Sequence, residues 1–319
     1  VNNDGVAGAL RRDEDDVVDS TDLFAQAEWR FAERWSVHGG VRASRVEFRV
    51  SDYFIDGVNP DDSGSRVYSA TTPVLGIVFR PTKLVSVYGN AGRGFETPTF
   101  AELAHRNAGA GSGPNFALEP AKSRHAEIGT KAVLPRLARI NAAVFDVEVT
   151  DEIVVDASNQ GRATFRNAGR TERRGLELAA ETLLEGPWDA QLAFTRLDAT
   201  FEDGTNAGNV LPGVPRTQAY GSLRYRRDSY YVQLEAIRRS RVAVNDANAQ
   251  FADAYPVASL VAGLVQRGER WRLTQFVRVD NLADRNYAGS VIVNEGMSRF
   301  YEPAPGRNYL VGAQASLQF

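Results

Sequence analysis

The chain has 319 residues, 37 Lys and Arg against 40 Asp and Glu, a formal net charge of -3, no cysteine and one methionine, Met297. The missing cysteines exclude a disulfide framework and any thiolate nucleophile or metal site, and the near-neutral charge excludes a general nucleic-acid binder. No apolar run approaches the roughly 18 residues of a membrane-spanning helix, but a transmembrane barrel needs only about 9–11 alternating residues per strand.

The first stretch, "VNNDGVAGALRRDEDDVVDSTD", is polar, acidic and turn-rich. Residues 1–22 therefore predict a loop. With Val1 in first place and no charged-then-apolar leader behind it, the chain is expected to be the C-terminal part of a longer protein, a disordered arm being the alternative.

From Leu23 the rhythm is strand, short turn, strand, long loop. "LFAQAEWRF" puts Leu23, Ala25, Ala27, Trp29 and Phe31 on one face and Gln26, Glu28 and Arg30 on the other, the period of a half-buried strand. A turn at Glu33-Arg34 leads into "WSVHGGVRASRVEF". "VLGIVFR" runs to a turn at Pro81-Thr82, and "LVSVYGNAGRGF" leaves it. A long Gly-rich stretch follows, then "RHAEIGTKAVL", a turn at Pro135-Arg136 and "RINAAVFDVEVTDEIVV".

The second half repeats the scheme, with turns at Glu185-Gly186-Pro187, Arg227-Asp228 and Arg267-Gly268-Glu269. The last strand is "YLVGAQASLQF", in which Tyr309, Val311, Ala313, Ala315, Leu317 and Phe319 share a face. The total is about 13 strands with short and long connections in strict alternation, as in outer-membrane barrels, where periplasmic turns are short and extracellular loops long. Trp29, Phe31, Trp35, Trp188, Tyr225, Tyr230 and Trp271 lie beside the short turns, where an interfacial aromatic girdle is expected. In "WRLTQFVRVDN" the pattern breaks, because Phe276 points with Arg272 and Arg278; a bulge or a partly apolar lumen would explain it.

No catalytic constellation is present. His38, His105 and His125 lack ligand spacing. "GRG" at Gly92–Gly94 has no third glycine and no strand-to-helix context, and "GAGSG" is a flexible tip.

"GRGFETPTFAEL", "EIGTKAVL", "NAGRTERRGLELAAE", "VRVDNLADRNY" and the closing "PGRNYLVGAQASLQF" together resemble the C-terminal barrel of TonB-dependent outer-membrane receptors. The resemblance implies an all-β fold: an antiparallel transmembrane β-barrel of which residues 23–319 form the C-terminal portion. The family's barrels have about 22 strands around an N-terminal plug, which would leave about nine strands and the plug upstream. It implies a Gram-negative outer-membrane transporter, monomeric and not an enzyme. Its partners would be the TonB energising complex, met through the upstream region, and the barrel-insertion machinery, which would read Phe319 as an assembly signal. Phage could also dock on it. "LEPAKSRHAEIG", "DEIVVDASNQGRATFRNAGRT" and "GSVIVNEGMSRFYEPAPGRNY" resemble the pyrroloquinoline quinone receptor subfamily more narrowly. That makes pyrroloquinoline quinone the expected cargo rather than a cofactor, with a ferric siderophore as the alternative.

A tricarboxylate cargo needs cationic donors, and the planar fork of Arg suits carboxylates. Alternation along "YYVQLEAIRRSR" turns Tyr231, Gln233, Glu235, Arg239 and Arg241 into the lumen. Asn167 and Arg173 face the same way if "GLELA" keeps its phase, and the last loop offers Asn294, Arg299 and Tyr301. The alternative is that these arginines pair with loop carboxylates such as Glu172 and Glu295. A passive structural or adhesive barrel and a soluble carbohydrate-binding β-protein remain as competing classes.

Overall fold

The structure is a computed structural model that describes residues 8–10, 12–106, 113–159 and 162–318; Phe319 and most of the "GAGSG" tip lie outside the described residues. In chain order the elements are β1 (Glu14–Ala32), β2 (Trp35–Asp52), β3 (Gly64–Thr82), β4 (Val85–Glu96), α1 (Phe100–Leu103), β5 (Ala121–Leu134), β6 (Ala138–Thr150), β7 (Ile153–Asn159), β8 (Arg162–Asn167), β9 (Arg170–Thr182) and β10 (Trp188–Phe201). There follow β11 (Thr217–Arg227), β12 (Tyr230–Arg239), β13 (Val242–Ala243), β14 (Phe251–Ala252), β15 (Tyr255–Arg267), β16 (Trp271–Asp280), β17 (Ala288–Val291), β18 (Tyr301–Pro303) and β19 (Asn308–Leu317). Thirteen strands form one antiparallel sheet in the order β1-β2-β3-β4-β5-β6-β9-β10-β11-β12-β15-β16-β19. The pairs β7-β8, β13-β14 and β17-β18 are small hairpins inside the long loops.

The connections alternate without exception. Turns at 33–34, 83–84, 135–137, 183–187, 228–229 and 268–270 lie at one end, and loops at 53–63, 97–120, 151–169, 202–216, 240–254 and 281–307 at the other. The register carries one face across the sheet. Trp29, Val37 and Ile77 stand opposite one another through β1, β2 and β3, as do Leu234, Leu260 and Val279 through β12, β15 and β16. On this outward face large apolar side chains stand bare, Leu75 and Ile128 being 61% and 64% exposed. An apolar face without protein cover is what hydrocarbon would solvate. At its short-turn edge Trp29, Phe31, Trp35 and Phe79 form a ring-to-ring chain, and Trp188, Tyr225 and Tyr230 a second. The girdle is present as expected.

Two sequence expectations change. Residues 1–22 do not form a loop to their end, because β1 begins at Glu14 and pairs with Asp52. Backbone pairing continues past the apolar band, where cross-strand charge pairs such as Asp19 with Arg49 and Asp22 with Arg42 replace apolar contacts. The turn after β3 sits at 83–84, not at Pro81. The register slips between Phe79 and Thr82, an irregularity that accommodates a proline with no N–H to donate.

The inward face explains Phe276. It stands opposite Gly312, and a Cβ on that glycine would lie 2.5 Å from its ring. Tyr88 covers Gly129 in the same way, Phe145 covers Gly175 and Tyr231 covers Gly263. Each pair joins neighbouring strands on the luminal face, so aromatic rings lie flat on the wall over the bare backbone of glycine. In the complete protein Gly312→Val would evict the Phe276 ring and cost about 1–3 kcal/mol, read as an earlier loss of the folded band on heating. Adding Phe276→Ala should recover much of that loss. A Gly312→Val barrel as heat-resistant as wild type would show that the ring does not rest there.

Candidate functional site

The inner wall of β11, β12, β15 and β16 carries a continuous polar chain. Arg224 Nε donates to Gln233 (2.5 Å), Gln233 Nε2 to Glu235 (2.7 Å), and Arg278 donates both to Glu235 (2.9 Å) and to Asp280 (2.8 Å). Alternation brings these side chains to the lumen, and the antiparallel register sets them at neighbouring heights. Higher on the same face, Arg239 Nη1 reaches the Tyr255 hydroxyl at 3.5 Å. Tyr255 packs against Tyr287, the rings tilted by 35° with centroids 4.2 Å apart. Burial pushes the Tyr287 phenol above its usual range, so it stays neutral and able to donate. The Nε of Arg239 is buried and has no partner among the described residues.

Above the wall the long loops fold onto one another. The buried apolar residues gather at this end: Phe48, Tyr68, Leu103 and Leu118 in one cluster, Ala168, Ala199, Phe201 and Leu211 in a second, Val244, Ala252 and Phe300 in a third. Helix α1 has a capping box, with Thr99 as N-cap and Glu102 answering it. Arg166 pairs with Asp246 (2.7 Å) and Asp156 (3.4 Å), joining loop 151–169 to loop 240–254. Asn248 exchanges hydrogen bonds with the Val210 backbone, joining in loop 202–216. A bridge between Ser158 and Glu295 brings in loop 281–307.

The sequence-predicted residues fall into three places. Asn294, Arg241 and Tyr301 meet around the β13-β14 hairpin. Asn294 donates to Val155 O and Asp246 Oδ1 and accepts from the Asp246 N–H. Arg241 lies over the Phe251 ring at 4.5 Å, and the Tyr301 hydroxyl donates to Phe251 O. Arg299 is close by, its guanidinium exposed and 3.4 Å from Glu295. Backbone N–H groups of Arg299 and Met297 also donate to that carboxylate and hold it below the usual range. Arg239 lies apart, on the wall below.

Asn167 and Arg173 belong to loop 151–169 and its base. Asn167 accepts from the Glu119 N–H and donates to Glu119 O and Asp151 O, fastening two loops together. Arg173 points inward and binds Glu152 through both terminal nitrogens. Its carboxylate partner is therefore Glu152. Glu172, on the outward face, pairs with Arg174 instead. Sequence reasoning did not single out Arg166, Asp246, Tyr255, Tyr287 or Asp280, because their roles come from contacts between segments far apart in the chain.

Comparison with known proteins matches residues 1–282 to the family described as TonB dependent receptor-like, beta-barrel. A vitamin B12 transporter of Photobacterium profundum is 24% identical over 262 residues, 81% of this chain and 41% of its own length. A pesticin receptor of Yersinia enterocolitica is 26% identical over 306 residues, 93% of this chain and 43% of its own. Among solved structures, the siderophore receptor PiuA from Acinetobacter baumannii superposes with a TM-score of 0.76 at 20% identity, covering 95% of this chain and 44% of that one. The chain spans less than half the length of each.

Proposed function

Because the chain belongs to the TonB-dependent receptor-like β-barrel family, we propose that it forms the C-terminal part of an outer-membrane receptor that imports a scarce small ligand. Its relatives are transporters and receptors rather than enzymes, and its compartment is the Gram-negative outer membrane. The share of those relatives that it spans, and a sheet open at β1 and β19, support further strands and a plug upstream. TonB would engage that upstream part. Insertion machinery would read Phe319, and docking by a bacteriocin is supported by the likeness to a pesticin receptor.

The cargo reading rests on one observation. Arg239 on the inner wall and Arg241 beside the β13-β14 hairpin have no carboxylate partner among the described residues, one reaching only a tyrosine hydroxyl and the other a phenylalanine ring. Such cations suit a carboxylated ligand, because a desolvated arginine–carboxylate pair contributes a few kcal/mol where a screened rim pair gives under about one. Pyrroloquinoline quinone, flat and tricarboxylate, is the ligand we propose. A metal chelate is the second reading, favoured by relatives named as vitamin B12 and siderophore receptors.

The test places the complete receptor in cells unable to make pyrroloquinoline quinone, with rescue of a quinoprotein dehydrogenase as the readout. Arg239→Gln, Arg241→Gln and Arg299→Gln combined should raise the external cofactor needed at least tenfold, at unchanged surface level. A triple variant that rescues like wild type would reduce these arginines to solvated rim charges. Wild type that fails to rescue but restores growth on a ferric siderophore would replace the quinone with the chelate.

A further inference from the structure

Two adjoining hollows occupy the outward wall of β3 to β6. The lower is an apolar trough of about 700 Å³ lined by Leu75, Ile77, Gly89, Ala91, Ile128 and Val144. Its floor is low because β4 presents only Gly89 and Ala91 there and β5 presents Ala126, while Leu75 and Ile77 stand along one side and Ile128 and Val144 along the other. Two residues further toward the long loops, each of these strands changes from small to cationic. Arg93 follows Ala91, and Arg124 and Lys122 succeed Ala126.

These three cations, with the Glu148 carboxylate and the hydroxyls of Ser69, Thr71 and Thr150, line the upper hollow of about 270 Å³. It opens where β3 and β4 part, since their ladder ends at Val74 and Gly92 while both strands run on. Arg93 and Arg124 stand directly opposite each other, and like charges in that position destabilise a sheet. Glu148 faces Arg124 from β6 but makes no ion pair with it. Among the described residues Arg93, Lys122 and Arg124 have no ion pair and no side-chain hydrogen bond. Some outward charges of the neighbouring strands are paired, Arg174 with Asp146 and Glu172 and Arg49 with Asp19, while Arg170, opposite Thr150, has no ion pair either among the described residues.

We propose that this wall binds one phosphorylated, multiply acylated lipid of the outer leaflet, its phosphate between Arg93, Lys122 and Arg124 and an acyl chain in the trough below. The anion relieves the facing arginines, which bind phosphate through two parallel N–H bonds, while the trough takes the apolar part. The charges lie at the long-loop end, so the headgroup belongs to the outer leaflet. The order of the two hollows along the strands matches the order of headgroup and chain in such a lipid.

Bisphosphorylated lipid A is the probe, added to the delipidated complete receptor in non-ionic detergent and followed by native mass spectrometry. One retained lipid A per barrel is expected. Combining Arg93→Gln, Lys122→Gln and Arg124→Gln should lower the retained fraction at least tenfold, with the heat-modifiable folded band unchanged. Ala91→Trp, which fills the trough but leaves every cation, should also lower it. If the triple variant folds poorly, Arg93→Gln alone should still weaken retention severalfold and Arg93→Lys should restore most of it. Fully dephosphorylated lipid A should bind wild type no better than lipid A binds the triple variant. Retention by the triple variant equal to wild type, or equal binding of the dephosphorylated lipid, overturns the proposal.

Discussion

Expressed by itself, the 319-residue chain is expected to aggregate or be degraded, and to give no monodisperse, heat-modifiable barrel in micelles. Strands β1 and β19 each pair on one side only. Over the about 9–11 residues that cross hydrocarbon, alternate residues turn both N–H and C=O away from the sheet, leaving roughly ten unpaired groups on each edge. Each costs several kcal/mol in lipid, so the edges together cost tens of kcal/mol against a folding stability of about 5–15. Closing the 13 strands on themselves is no simple remedy. β1 and β19 both run from the long-loop end to the short-turn end, so they would meet in parallel, unlike every other neighbouring pair. Joined to the remaining strands of a receptor, the same sequence should give a folded band that resists SDS until heated. A monodisperse barrel with that behaviour from the chain alone would mean that the sheet closes through a parallel seam.

The fold was legible where one physical rule governs a whole segment. Alternation across the apolar band located every strand of the main sheet, and the aromatics beside the short turns marked the membrane edge, because lipid imposes a single solvent on one face of the wall. Legibility ended where that solvent ends. The upper reach of β1 is mostly polar on both faces, so "EDDVVDSTD" read as a loop although it is paired with β2. Phe276 looked like a break in the pattern, because its reason is Gly312 on the neighbouring strand, and strand-to-strand register is not written in either segment alone. Arg239 could be placed on the luminal face by counting. That Arg173 is held by Glu152, Asn167 by Glu119 and Asn294 by Asp246 depends on how loops meet, and no local period reports that.

Arg173 gives the sharpest test of this distinction. Glu152 accepts from both terminal nitrogens of Arg173 and from the Thr171 hydroxyl. Thr171 is fully buried, and the two charged side chains are only 25% and 17% exposed. Glu152 also lies where loop 151–169 leaves the wall, its carbonyl accepting from the Ala168 N–H at 2.7 Å. Removing one partner of a buried pair leaves the other charge uncompensated, at about 3–5 kcal/mol when burial is complete. With the partial exposure seen here, Glu152→Ala should cost about 1–3 kcal/mol. Amide exchange across residues 151–169 should speed up accordingly, while the strands of the wall keep their protection. Replacing the pair together, Glu152→Leu with Arg173→Leu, leaves no stranded charge and should recover most of the loop's protection, although Thr171 still lacks its acceptor. The ligand separates the two roles. If Arg173 fastens the loop, Glu152→Ala weakens uptake and the double variant restores much of it. If Arg173 binds an anionic ligand directly, freeing it with Glu152→Ala tightens binding and the double variant abolishes it. The contacts in the structure favour the first outcome, and tighter binding by the Glu152→Ala receptor would return Arg173 to the ligand site.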